Sequence, residues 1–227
     1  SDMMWVTSRF GVADCKKLTN GAMQPYIIDV ACVNGNFVKN AECFAEAWMR
    51  AGTIEAPAGA IGICAASTNM EWVPPCIVQA EMSSVYIAKN EYKTAGGILM
   101  NGIIKGLEQY GTSEKGSGVM MYEQWHLFGD ATLNVRTNAP VALRAEGKAS
   151  RADGVVTAEV VVVDAAGTPI RDARVAVYTE GMGTMGSTMT NAEGKAIVTI
   201  SADAETPVYY TITGGDLVPV VDQKLTF

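Results

Sequence analysis

The chain changes grammar at Asn138-Ala139-Pro140, and no single layer architecture accommodates both styles of sequence. Before that point, short continuous apolar runs alternate with longer helical patterns. "PYIIDVAC" (25–32) and "GAIGICAAS" (59–67) have strand length and suit parallel strands covered on both faces. Between them, "AECFAEAWMRAG" (41–52) is rich in helix formers, with Phe44, Ala47 and Trp48 on one stripe and Gly52 as a stop. Helical patterns return over 76–91 and 95–110, the second closed by Gly111. "QWHLFGDATLNVRT" (124–137) reads as a last extended segment turning at Gly129-Asp130. After the seam come only short β-branched runs, such as "VVTAEVVVVD", "ARVAVYTEG", "KAIVTIS" and "VYYTITGG", separated by turn pieces such as Asn191-Ala192-Glu193-Gly194. The pattern predicts two domains: an α/β layered sheet over 1–137, narrow and incomplete, then an all-β, immunoglobulin-like sandwich over 138–227.

Composition narrows the function classes. The 227 residues are 48% hydrophobic and 18% charged, as an ordered globular protein requires. A formal charge of -7 with no basic block argues against nucleic acid or an anionic membrane surface as partner. No apolar run reaches the ~18 residues of a membrane span. All five cysteines (Cys15, Cys32, Cys43, Cys64 and Cys76) precede residue 80, in odd number and without a C-x-x-C pair. With a single histidine, His126, they offer neither a disulfide framework nor a zinc set.

One cysteine stands out by position. Functional residues of an open parallel sheet gather at the carboxyl ends of its strands, and Cys32 closes the run "PYIIDVAC" before Val33-Asn34-Gly35-Asn36. Gly35 gives the backbone room to turn, and amide groups exposed at such a turn suit an oxyanion hole. Cys32 is therefore either a nucleophile or a core thiol. Cys15, Cys43 and Cys64 fall inside strand or helix patterns and read as core filling.

The segment "IIDVACVNGNF…ECFAEAWMRAG" resembles the catalytic-cysteine segment of the gingipains, caspase-like cysteine peptidases secreted by Bacteroidetes. The likeness continues through "AASTNMEWVPP" (65–75), "GGILMNG" (96–102) and "WHLFGDATLNVRT" (125–137), and in that family an immunoglobulin-type sandwich follows the catalytic domain. The resemblance implies that Cys32 is the nucleophile; Asn36 stands where the family carries an acidic residue. It also implies that the general base is the histidine of a Gly-His-Gly motif lying just upstream of Ser1-Asp2-Met3-Met4-Trp5. His126 then has no catalytic part and reads as a half-buried histidine. Trp72 matches the tryptophan of the pocket for the residue before the scissile bond, and Cys76 stands in the same pocket where arginine-specific members carry methionine.

The expected function is thus a secreted or surface-bound cysteine endopeptidase of a Gram-negative bacterium. It would act on protein or peptide substrates, with a preference after basic residues, and be completed by its own N-terminal half. The chemistry needs no cofactor. Structural calcium is implied by the family, with Asp2, Asp14, Asp29 and Asp130 as acidic residues available to it, though no D-x-D-x-D-G loop is present. The alternative is a non-catalytic surface or binding module descended from such a peptidase.

Overall fold

A ladder too short to stand alone opens the first unit: β1 (Met4–Trp5) pairs antiparallel with β2 (Phe10–Gly11). In this computed structural model, which describes residues 1–39 and 41–227, the ladder survives by packing. Trp5 and Phe10 join Phe44 and Trp48 in an aromatic cluster, with Trp5 set edge-on to Phe44 at 5.0 Å between ring centroids. Helix α1 (Val12–Cys15) follows, its first turn capped by the Asp14 carboxylate accepting from the Gly11 N–H at 3.0 Å.

Three strands form the central sheet. β3 (Tyr26–Ile28) is followed by α2 (Phe44–Met49) and then β4 (Gly62–Ala66), parallel to β3 in the register Ile27 to Ile63. Helix α2 starts where the Glu46 side chain accepts from the Cys43 N–H at 2.8 Å. After β4 come α3 (Pro74–Ser83), which continues as one π-helical turn over Ser84–Ala88, then α4 (Ala95–Tyr110) and α5 (Ser117–Gln124). The last strand, β5 (Trp125–Gly129), returns antiparallel to β4. The sheet is therefore mixed, where the apolar runs alone predicted a parallel one.

β4 is central and wholly buried, and its alternating side chains sort the layers. Ile63 and Ala65 face Phe44, Ala47 and Trp48 of α2; Cys64 and Ala66 face Val78 and Met82 of α3 and Ile98 and Ile103 of α4. α3 and α4 approach closely because Gly102 carries no side chain, since a Cβ there would stand 2.6 Å from Met82 Cγ. Thr94 caps α4 by accepting from the Gly97 N–H, and the helix stops at Gly111 with φ +79°. Among the described residues no helix is long and apolar enough to cross a membrane.

The chain divides into two compact units, Ser1–Thr137 and Asn138–Phe227. The second is wholly β: β6 (Leu143–Ala152), β7 (Val155–Asp164), β8 (Arg174–Thr179), β9 (Met185–Met189), β10 (Lys195–Ser201), β11 (Val208–Thr213) and β12 (Val220–Lys224). They make two antiparallel sheets, ordered β10-β7-β6 and β12-β11-β8-β9. β6 and β7 are joined by Asp153-Gly154, both at positive φ, the two-residue turn whose twist matches that of a hairpin. Strict alternation buries Val156, Ala158, Val160 and Val162 of β7 against Val175, Val177, Val208 and Ile212 of the facing sheet.

Candidate active site

The apolar run "PYIIDVAC" does not stay a strand as far as Cys32. The paired strand ends at Ile28, and Asp29 adds one further bond to β4, its N–H donating to the Cys64 carbonyl at 2.9 Å. Asp29 then turns the chain. Its carboxyl Oδ1 accepts from the Ala31 N–H at 2.9 Å and Oδ2 from the Asn34 amide at 2.7 Å. Cys32 opens the resulting turn, which runs to Gly35. Three backbone bonds fix the turn: Gly35 N–H to Ala66 O of β4, Ala45 N–H of α2 to Asn34 O, and Val33 N–H to Thr68 O in the segment after β4.

Two residues make this geometry possible, in a way the sequence does not advertise. Val33, not Gly35, is left-handed, with φ +57°, an uncommon and strained state for a β-branched side chain. Gly35 is needed for space: a Cβ there would lie 2.8 Å from Ala65 O and 2.9 Å from the Phe128 ring.

The half-buried Cys32 points its thiol at the Met70 carbonyl oxygen, 3.6 Å away. It opens on a cavity of about 780 Å³ that Trp5, Val30, Met70, Trp72 and Cys76 also line. The structure thus brings Cys32, Trp72 and Cys76 to one cavity. Trp72 is 93% exposed, so a full indole face is free. Cys76 lies in the first turn of α3 behind Pro74-Pro75, exposed, its thiol donating to Trp72 O at 3.3 Å. Glu71 adds a carboxylate to a mostly apolar lining.

The other thiols are set apart by burial. Desolvation pushes Cys15 up to about 11 and Cys64 to about 12, and it raises Cys43 as well. His126, on β5, is committed elsewhere: its Nε2 lies 3.0 Å from Ser67 Oγ and its ring stands edge-on to Phe37. The acidic residues considered for calcium have separate partners. Asp2 pairs with Lys39, Asp14 caps α1, Asp130 accepts from Thr132, and Asp29 is spent on its own turn. Among the described residues no three His, Cys, Asp or Glu side chains converge to hold a metal ion.

In the sequence Asp29 stands out only as an acidic residue available to calcium. It is 4% exposed, and burial raises its pKa above the usual carboxylate range, against hydrogen bonds from Ala31, Asn34 and the Trp5 indole that lower it. A carboxylate directly after an apolar strand run, with Asn five residues on, was the available signal.

Residues 1–136 match the family model for peptidase family C25, and the chain belongs to that family. Gingipain R2 of Porphyromonas gingivalis is 36% identical over 97% of this chain and 29% of that protein. Gingipain R1 of the same species is 41% identical over 63% of this chain and 14% of that protein. Among solved structures, the Arg-specific cysteine proteinase gingipain R superposes with a TM-score of 0.85 at 34% identity, over 100% of this chain and 50% of that one. A complex of the pro- and mature domains of the Porphyromonas gingivalis proteinase RgpB gives 0.83 at the same identity. The chain therefore spans under a third of the curated relatives and about half of the solved chains. The caspase-like peptidase fold and its mixed sheet are common to this chain and gingipain R.

Proposed function

We propose that residues 1–137 are the nucleophile-bearing part of a secreted cysteine endopeptidase and that 138–227 form an immunoglobulin-like sandwich. The observation carrying this reading is the placing of Cys32 on a strained turn at the mouth of a cavity that Trp72 and Cys76 share, in a chain of family C25. A histidine on an upstream segment or separate chain takes the Cys32 proton. The thiolate adds to the scissile carbonyl carbon, and the Cys32 N–H supports the oxyanion. Collapse expels the amine, protonated by the imidazolium, and leaves a thioester that water hydrolyses. Thiol and imidazole suffice for this, so no cofactor is required; any calcium would be structural. The Trp72 indole would lie along the aliphatic stem of a basic side chain, with Cys76 forming the pocket wall.

The partners are a protein or peptide substrate and the N-terminal half of the same peptidase. A place outside the cell or on the surface of a Gram-negative bacterium is supported by the Porphyromonas relatives. The test uses the full-length protein. An arginyl or lysyl chloromethyl ketone should modify Cys32 alone, read by peptide mass mapping, whereas equal labelling of Cys32 and Cys76 would mean no activated nucleophile. Cys32→Ala should abolish peptide hydrolysis and leave the melting temperature almost unchanged. Retained turnover removes the assignment, and a wild type that binds peptides without cleaving them is the descended binding module.

A further inference from the structure

We infer that Asp29 is the positioning residue of this site, its buried carboxyl group holding the turn that presents the Cys32 thiol. The inference rests on the reading of Cys32 as nucleophile. The residues on both sides of the thiol meet on one side chain. Ala31, immediately before Cys32, donates its N–H to Oδ1, and Asn34, two residues after it, donates its amide to Oδ2. Cys32 is thus clamped from both sides by a group it does not touch.

The arrangement is poorly explained by stability. A carboxyl group at 4% exposure is expensive to desolvate, and the groups that hydrogen-bond it, the Ala31 N–H and the Asn34 amide, are neutral. Asn34 is fully buried, yet only its nitrogen is used; its Oδ1 has no partner among the described residues. Between the two donors to Asp29 sits Val33 in its left-handed state, which persists only where surrounding bonds over-determine it. A buried polar pair and a strained residue bracketing one half-buried thiol fit a requirement to aim that thiol, and with it the Cys32 N–H, within a fraction of an ångström.

The test compares Asp29→Ala and Asp29→Asn in the full-length peptidase, with rates expressed per Cys32 titrated by an active-site alkylating agent. Asp29→Ala is expected to lower kcat at least about tenfold and to leave KM within about twofold, because misaimed groups fail in the transition state and not in ground-state binding. Asp29→Asn keeps one acceptor and should fall between wild type and Asp29→Ala; if the alanine variant does not fold, a kcat loss of about threefold or more in Asp29→Asn carries the test. Unchanged kcat per titrated thiol in Asp29→Asn, whatever happens to its melting temperature, overturns the inference, as does a change confined to KM. Failure of the nucleophile reading itself shows separately, as turnover surviving in Cys32→Ala.

Discussion

The two units solve the same problem, burying a sheet, with opposite tolerance for irregularity. In the second unit, strands of five to ten residues mostly alternate inside and outside, as β6, β7, β9 and β10 do, and the core is almost entirely Val, Ala and Ile. Its buried polar residues are two threonines with satisfied hydroxyls; Thr190 Oγ1, for example, donates to Ile170 O and accepts from the Ala173 N–H. The first unit pairs strands of two to five residues and buries a carboxyl, two amide side chains and three thiols. One group of its breaches of local rule lies just after β3, where Asp29 and Asn34 are buried and Val33 is left-handed beside Cys32. Regularity marks the unit whose work is packing, and tolerated cost marks the place where chemistry is proposed.

The largest contrast lies among the cysteines. A thiol whose pKa is pushed up to about 11 is only about one part in a thousand thiolate at pH 8. A disulfide exchange reagent at that pH should therefore modify Cys32 and Cys76 in the native protein and spare Cys15, Cys43 and Cys64 until denaturant is added. Since burial raises these pKa values, reactivity of Cys15 should grow as pH climbs towards 11. Prompt reaction of all five thiols at pH 8 would erase the contrast. Next in size, Ile212→Ala removes a fully buried side chain from the second core and should cost about 2–5 kcal/mol in urea unfolding of that unit. Alkylation of Cys32 should be unaffected, because the cavity is built wholly from residues of the first unit.

Legibility followed the same divide. "VVTAEVVVVD" reads as a strand and is one, residue for residue, because alternation leaves a single consistent register. The helix closed by Gly111 was equally plain. "PYIIDVAC" misleads, since hydrophobicity continues to Cys32 while the Asp29 side chain turns the chain once the ladder ends at Ile28; the signal for that local bond is a single Asp inside an otherwise apolar run. α5 is hard to read from sequence because Gly116 and Gly118 disguise its start, although a Cβ on Gly118 would stand 2.3 Å from Gly111 O, so packing demands that glycine. The gathering of Cys32, Trp72 and Cys76 was legible from motifs. The strain on Val33 was not, because the neighbouring Gly35 draws the flexible role to itself.

Gly35 and Val33 separate these two explanations. Gly35→Ala forces a Cβ against Ala65 O and the Phe128 ring, so a loss of about 1–3 kcal/mol is expected, together with slower alkylation of Cys32. A neutral outcome would mean that the turn has slack and that its fit against β4 is incidental.

The smallest effect is the sharpest. Val33→Ala and Val33→Gly both lose the two Cγ methyls of a half-buried side chain and differ from one another only in the Cβ, so comparing them bears on the backbone. At a left-handed position glycine escapes a penalty of roughly 1–2 kcal/mol that alanine keeps, which exceeds the roughly 0.5–1 kcal/mol glycine costs in chain entropy. Val33→Gly should therefore be the more stable of the two by up to about 1 kcal/mol. At Val161, exposed in the middle of β7, the order should reverse, with alanine ahead by about 0.5–1 kcal/mol. Opposite signs at the two sites, read from paired denaturation curves, locate the strain in the turn that carries Cys32; the same sign at both would return Val33 to ordinary backbone.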